Sequence, residues 1–276
     1  PPDVGQLEDN HFGDLLNRDG ARSPGALFVA TGGTSGGLRF ARHSWASLHA
    51  AALGLHDRIG HEPIRSWCCL PLRHVAGLMQ VVRAVISEGD VQFGEYRDLT
   101  KSTFSRKLVE NRFVSLVPTQ LARLLDCAEA RENLRATRAV FVGGGPLSEE
   151  LAERSRAERL PIAPTYGTTE TGGMVTLMSP EAFLSGRKGV GSVLSGSEVV
   201  CRENDTLRIR ANGLCFGYHD RDFQKDAWFE TEDEGFWDDH GSLHVKGRRD
   251  RLVNTGGLKI DPAPIEQAIR DTGLAE

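Results

Sequence analysis

The chain has 276 residues, enough for a large core and for more than one domain. With 39% hydrophobic and 26% charged residues it has the balance of an ordinary soluble globular protein. A formal net charge of −5 argues against a general nucleic-acid binder, and no apolar run reaches the roughly 18 residues that a membrane span needs.

The first residues, PPDVGQLEDN, carry neither the basic start nor the apolar centre of a signal peptide. No initiator Met opens the chain, so further residues are expected upstream. The five cysteines, Cys68, Cys69, Cys127, Cys201 and Cys215, show no metal-ligand spacing, and the nine histidines form no HExxH pair. Reduced thiols of a cytoplasmic protein, without zinc, are the expectation.

ALFVAT (26–31) predicts a strand that enters a loop rich in Gly, Thr and Ser: Thr31, Gly32, Gly33, Thr34, Ser35, Gly36, Gly37, Leu38, Arg39. Backbone N–H groups, hydroxyls and one guanidinium converging on a loop suit a phosphate. The loop lacks the Gly-Lys-Ser/Thr of the Walker pattern and the glycine spacing of the dinucleotide fingerprint. A flexible surface loop is the alternative.

SWASLHAAALGLHDRI (44–59) predicts a helix capped by Ser44, with Trp45, Leu48, Ala52 and Leu55 at helical spacing. SWCCLPL (66–72) predicts a strand, VAGLMQVVRAVISEG (75–89) a helix, VQF (91–93) a short strand and TKSTFSRKLVENR (100–112) a helix. FVSLV (113–117) predicts a strand, and PTQLARLLDCAEA (118–130) a helix with Pro at its first position. TRAVFVGGG (137–145) reads as a strand running into glycines, SEELAERSRAER (148–159) as a helix capped by Ser148, and LPIAPTYG (160–167) as strand and turn. This alternation implies an α/β fold with a doubly wound, largely parallel sheet, whose ligands sit beyond the carboxyl ends of its strands. Loops 31–39, 143–146 and 166–170 are expected there.

From about residue 186 short runs alternate with turns: SEVVCR, TLRIRA and SLHVKG predict an antiparallel β subdomain. GRRDRLVNTGG interrupts it, and DPAPIEQAIRD predicts one more helix. The expected parts are 1–185 (nucleotide and acid binding), 186–246 (antiparallel β) and 247–276 (hinge and start of a C-terminal domain).

Several segments together carry a resemblance. TGGTSGGLRF, PLRHVAGLM, SLVPTQLARLL, VGGGPLSEEL, TYGTTETGGMVTL and WFETEDEGFWDDHGSLHVKGRRDRLVNTGGLKIDPAPIE occur in this order. In order and spacing they resemble the adenylate-forming acyl- and aryl-CoA ligases, over residues 25–276. Within that superfamily the TGGTSG loop and the LVPTQLARLL helix are similar to the o-succinylbenzoate–CoA ligases of menaquinone and phylloquinone synthesis, the cyanobacterial ones in particular.

The resemblance implies ATP, Mg²⁺ and CoA, and a small aryl carboxylic acid as partner. It implies that Thr31 to Arg39 hold the β- and γ-phosphates, although Leu38 stands where the family has Pro and Arg39 where it has Lys. It implies that Gly144, Gly145 and Pro146 line the adenine and that Tyr166 stacks on it, with Gly167 and Thr168 beside it. Thr169 would meet the α-phosphate and Glu170 the Mg²⁺; Thr169, Glu170 and Arg39 form the catalytic set. Asp233 and Arg248 would bind the ribose, in TED where the family has TGD, so Glu232 is a departure. His74, Gly77, Arg83 and Thr165 would border the acid, and Asp250 would be the hinge. Lys259 matches a segment facing the thioesterification site.

On residues alone each has a plainer reading. Tyr166 suits a core aromatic, Glu170 a helix-terminal carboxylate, Asp233 a turn residue and His74 a hydrogen-bonded core histidine. Arg83 lies in an otherwise apolar helix, where a charge is costly unless paired. It suits the second carboxylate of o-succinylbenzoate, an internal salt bridge or a snorkelling surface position. The implied reaction joins the acid to AMP and then to CoA; an enzyme serving a carrier protein, or a nucleotide-binding remnant without catalysis, are the alternatives. The family's second-domain Lys has no counterpart before Glu276, so a chain ending there is expected to bind nucleotide and acid but to catalyse poorly.

Overall fold

Two short strands open the described part of the chain, β1 (Leu27–Thr31) and β2 (Arg39–His43), paired antiparallel with Thr31 opposite Arg39. The structure is a computed structural model that describes residues 25–31, 39–224 and 228–249, the backbone of 253–255 and 258–260, and positions 262 and 269.

Ser44 caps helix α1 (Trp45–Arg58): its hydroxyl accepts the Ser47 N–H, and the Ser47 hydroxyl accepts the Ser44 N–H in return. Strand β3 (Ser66–Cys68) leads to helix α2 (Val75–Ile86), then to β4 (Val91–Phe93) and β5 (Phe113–Leu116). Helices α3 (Pro118–Leu125) and α4 (Ala128–Arg135) precede β6 (Ala139–Val142). Ser148 caps α5 (Glu149–Ala157), which leads to β7 (Ile162–Thr168), β8 (Gly173–Leu177), α6 (Pro180–Leu184) and β9 (Ser192–Val193).

The seven strands β3 to β9 form one sheet in the order β4-β3-β5-β6-β7-β8-β9. It is parallel from β4 to β7 and antiparallel from β7 to β9. Strand alternation gives it two apolar faces. Val114, Leu116, Val140, Val142 and Ile162 pack with Leu121, Leu124, Leu134 and Leu151 of α3, α4 and α5. Phe113, Ala139, Phe141 and Ala163 pack with Leu55 of α1. The Phe113 and Phe141 rings stack 5.1 Å apart. Helices therefore cover both faces, as a doubly wound sheet requires.

A four-stranded antiparallel sheet follows: β10 (Ser197–Cys201), β11 (Thr206–Ala211), β12 (Phe229–Trp237) and β13 (Leu243–Arg248), in that order. Its apolar face, Val199, Leu207, Ile209 and Leu243, closes on Val175 of β8 and on Tyr166. This contact seats the subdomain on the large sheet. Strands β14 (Val253–Thr255) and β15 (Leu258–Ile260) form a further pair. Among the described residues no helix is long and apolar enough to cross a membrane.

Four expectations are corrected. The loop after Thr31 joins two strands of a separate hairpin, so it does not leave a strand of the large sheet. Residues 100–112 form no α-helix, only 3-10 turns at Tyr96–Thr100 and Arg106–Leu108. Ser and Thr side chains disfavour a helix interior by competing for backbone hydrogen bonds, and Thr100 Oγ1 here donates to the Arg97 carbonyl. The helix predicted over 118–130 breaks at Asp126 and Cys127 into α3 and α4. Trp45 lies off the buried stripe of α1, 54% exposed. The helix predicted over DPAPIEQAIRD lies outside the described residues.

Candidate nucleotide and acid site

Strands β5, β6 and β7 end side by side, so the segments that follow them meet. Val142 pairs with Pro164, which sets Gly143 to Gly145 beside Thr165 to Gly167. A Cβ at Gly143 would lie 2.5 Å from Thr165 Oγ1, so only glycine permits this approach. Gly144 has φ +75°, and Gly145 lies against the ring of Pro118 at the start of α3. Gly144, Gly145 and Pro146 are exposed. The β7–β8 hairpin then turns through Thr169 to Gly172, with Thr168 opposite Gly173. A Cβ at Gly167 would meet the Gly173 carbonyl at 2.0 Å, so the hairpin neck is closed by contact between backbones.

That hairpin turn, Thr169 to Gly172, sits at a junction. His43 Nε2 lies 2.8 Å from the Thr169 carbonyl and His43 Nδ1 lies 3.1 Å from Ser47 Oγ. Burial lowers the His43 pKa below its ordinary value, which keeps the ring neutral. A neutral ring facing a carbonyl carries its proton on Nε2, which leaves Nδ1 as an acceptor beside the Ser47 hydroxyl, a group that also reaches the Ser44 carbonyl at 3.0 Å. The Cys215 N–H donates to the Glu170 carbonyl at 2.7 Å, and the Tyr218 hydroxyl donates to Glu170 Oε1 at 2.7 Å. Burial, then the Glu170 charge, raise the Tyr218 pKa, so the phenol keeps its proton. Glu170 is 8% exposed and has no ion-pair partner among the described residues. The Arg39 guanidinium lies over the Tyr218 ring, 5.6 Å from its centroid. Thr31, opposite Arg39, is buried.

A second cluster joins the two sheets. The Tyr166 hydroxyl donates to Asp233 Oδ2 at 2.7 Å. Asp233 is buried, and its N–H donates to Thr231 Oγ1. Burial, then the Asp233 charge, push the Tyr166 pKa well up. Arg248 stands opposite Asp233 in the β12–β13 register. Glu232 alternates onto the exposed face of β12, whereas Asp233 on the opposite face is buried.

The acid-facing residues divide. Arg83 is 4% exposed, and among the described residues its guanidinium has no ion pair and its Nε no acceptor. Burial depresses its pKa to about 10. Its Nη2 lies next to Gly173, 3.6 Å from where a Cβ would stand. Among the described residues Arg83 is neither bridged nor at the surface. His74 is exposed at the start of α2 and makes no capping bond, so it is not a core histidine. Burial, then Arg73, lower its pKa. Gly77 packs on the 70–71 backbone, where a Cβ would meet the Pro71 carbonyl at 2.4 Å. Thr165 Oγ1 reaches the Val142 carbonyl at 3.4 Å, and Thr168 Oγ1 is buried without a partner among the described residues.

Gly32, Gly33, Thr34, Ser35, Gly36 and Asp250 lie outside the described residues, as does the Lys259 side chain. Sequence reading passed over His43 and Tyr218. His43 sits in a strand, with Ser47 as a near partner and Thr169 as a distant one that the sequence does not place beside it, and nothing local to GYHD singles out Tyr218.

These geometries belong to a known class. A family model described as AMP-binding enzyme matches residues 20–214, and the chain belongs to that family. Within it the chain is similar to 2-succinylbenzoate–CoA ligases. That of Bacillus licheniformis is 28% identical over 283 residues, covering 97% of this chain and 57% of the relative. The probable 2-succinylbenzoate–CoA ligase of Mycobacterium tuberculosis is 32% identical over 256 residues, covering 88% of this chain and 63% of the relative. Among solved structures, o-succinylbenzoate coenzyme A synthetase from Bacillus subtilis in complex with AMP superposes with a TM-score of 0.74 at 26% identity, covering 88% of this chain and 53% of that one. The same enzyme in complex with ATP and magnesium ion gives a TM-score of 0.73 at 26% identity, covering 89% and 55%. The chain thus spans between 57% and 63% of the length of these two curated relatives.

Proposed function

We propose that this chain binds ATP and an aryl carboxylic acid, o-succinylbenzoate, as part of an AMP-forming acid–thiol ligase. The acid carboxylate attacks the α-phosphorus of ATP and releases pyrophosphate. The CoA thiol then attacks the acyl carbon and releases AMP. Menaquinone or phylloquinone synthesis in the cytoplasm is the setting that this chemistry suits.

The parts divide as 1–185, 186–246 and 247–276. In the first, Gly144 to Pro146 and Tyr166 to Thr168 line the adenine, and Thr169 meets the α-phosphate. Thr31, the loop after it and Arg39 hold the outer phosphates; an Arg fork engages phosphate on two oxygens. Asp233 and Arg248 hold the ribose, with Asp250 as the hinge. Glu170 is a buried carboxylate with one hydroxyl donor and no cation partner among the described residues, a donor set that fits a hard divalent ion. It would hold Mg²⁺, which when bound offsets charge on the phosphates. His74, Gly77 and Thr165 border the acid.

The observation that carries the substrate is Arg83. A guanidinium sealed among apolar residues without a carboxylate is costly, and a second carboxylate on the acid would satisfy it. The test is Arg83→Ala in the intact enzyme. The Michaelis constant for the diacid should rise about 10- to 150-fold, the worth of a hydrogen bond to a charged group. The constant for ATP should hold, and a monocarboxylic analogue should lose little. Equal losses for diacid and monoacid would overturn the assignment.

A further inference from the structure

The Tyr218 hydroxyl has one acceptor among the described residues, Glu170 Oε1 at 2.7 Å. The other carboxylate oxygen, Oε2, has no hydrogen-bond partner among them. The ring that carries the hydroxyl is held on every side. Phe223 meets it edge-on at 5.2 Å, and the Arg39 and Arg221 guanidinium groups lie over it at 5.6 and 5.2 Å. Its backbone is tied to β2 through the Ala41–Tyr218 bridge and through the His219 N–H on the Phe40 carbonyl at 2.9 Å. The main chain of the carboxylate is held from two directions, by the Cys215 N–H on the Glu170 carbonyl and by His43 on the Thr169 carbonyl. A carboxylate anchored at its backbone and at one oxygen presents the other in a fixed direction.

We infer that Tyr218 is a positioning residue: it holds Glu170 Oε1 so that Oε2 faces a divalent cation carried by the nucleotide. This rests on the reading of Glu170 as the metal ligand. The two can fail separately. Arg39 lies in β2, and Tyr218 is bridged to Ala41 of the same strand.

The test is calorimetric titration of ATP into the protein with and without Mg²⁺, for wild type, Tyr218→Phe, Glu170→Gln and the double variant. Wild type should gain affinity when Mg²⁺ is present. Glu170→Gln should lose that gain. Tyr218→Phe keeps the ring and its packing, so its melting temperature and its Mg²⁺-free ATP affinity should match wild type. Its Mg²⁺-dependent gain should fall about 10-fold, the order expected for a hydrogen bond to a charged group. In the Glu170→Gln background the same change should have no further effect. If Glu170→Gln keeps the gain, Glu170 is not the ligand and the underlying reading fails. If Glu170→Gln loses it and Tyr218→Phe keeps it, Tyr218 does not position the carboxylate. If Tyr218→Phe lowers both affinities and the melting temperature alike, its role is packing and the inference is overturned.

Discussion

The Tyr166 hydroxyl, near the end of β7 in the large sheet, donates to the Asp233 carboxylate, on the second strand from the edge of the four-stranded sheet, at 2.7 Å. One hydrogen bond therefore ties the segment proposed for the adenine to the one proposed for the ribose. It is charge-assisted and largely shielded from water, conditions in which such a bond is strong. Tyr166→Phe should leave the ring in place and remove one of the groups that hold the carboxylate. AMP affinity should fall about 10-fold, the magnitude of a hydrogen bond to a charged group, with little change in melting temperature. Titration of AMP decides it. A fall in stability without a fall in affinity would make the pair a strut between sheets and nothing more.

His43 sets a pH dependence. Its folded pKa lies below the ordinary 6.5, through burial first. The unfolded chain takes up the proton as pH falls through about 6.5, while the folded chain resists it. Stability is therefore fully present above that value and is lost as pH falls from it towards the depressed folded value. Each unit in that window costs up to about 1.4 kcal/mol. Urea unfolding at pH 7.5, 6.5 and 5.5 should show a steeper loss for wild type than for His43→Gln. Parallel losses would mean that His43 does not stay neutral in the folded protein.

What the sequence made legible follows physical range. Strands β3, β5, β6 and β7 show as short apolar runs because both of their faces are buried. The caps at Ser44 and Ser148 are local chemistry, readable from a few neighbouring residues. The hairpin partner β2 escaped notice because RFARH alternates no clear apolar face; Arg42 is itself buried, bonded to Asp222 far along the chain. Phe229–Trp237 is likewise absent from the predicted strands; its Glu230, Glu232 and Glu234 occupy outward or half-exposed positions. For the site, Thr169, Glu170, Tyr166 and Asp233 were found by resemblance, whereas Tyr218, the partner of Glu170, and His43, the partner of the Thr169 carbonyl, depend on contacts 48 and 126 residues away. Arg83 was visible by contrast, one charge in an apolar helix.

Gly77 separates packing from ligand contact. A Cβ there would press on the Pro71 and Leu70 carbonyl oxygens at 2.4 and 2.7 Å, atoms that cannot rotate away. Gly77→Ala should therefore cost about 1–3 kcal/mol through a shift of α2 against the 70–71 backbone. ATP affinity, proposed to be set by the segments that follow β6 and β7, should hold. Thermal unfolding beside ATP titration checks both. A variant of unchanged stability but weakened acid binding would show Gly77 facing the acid itself.

Arg83 separates stability from function in the opposite sense. A buried guanidinium with no counter-charge among the described residues destabilises the ligand-free protein. Arg83→Met keeps most of the volume and removes the charge. Replacing a buried charge by a well-packed apolar side chain can stabilise by about 1–4 kcal/mol, and for a chain of this size each kcal/mol moves the melting temperature by about 2–4 °C. The variant should melt higher than wild type when no acid is present. Saturating diacid should then raise the melting temperature of wild type and leave the variant nearly unmoved, while ATP stabilises both alike. The order of the two proteins narrows or reverses with ligand, a pattern that a structural arginine cannot produce. Should Arg83→Met melt lower than wild type without acid, the guanidinium has a compensating partner in the fold, and its proposed vacancy for a second carboxylate is wrong.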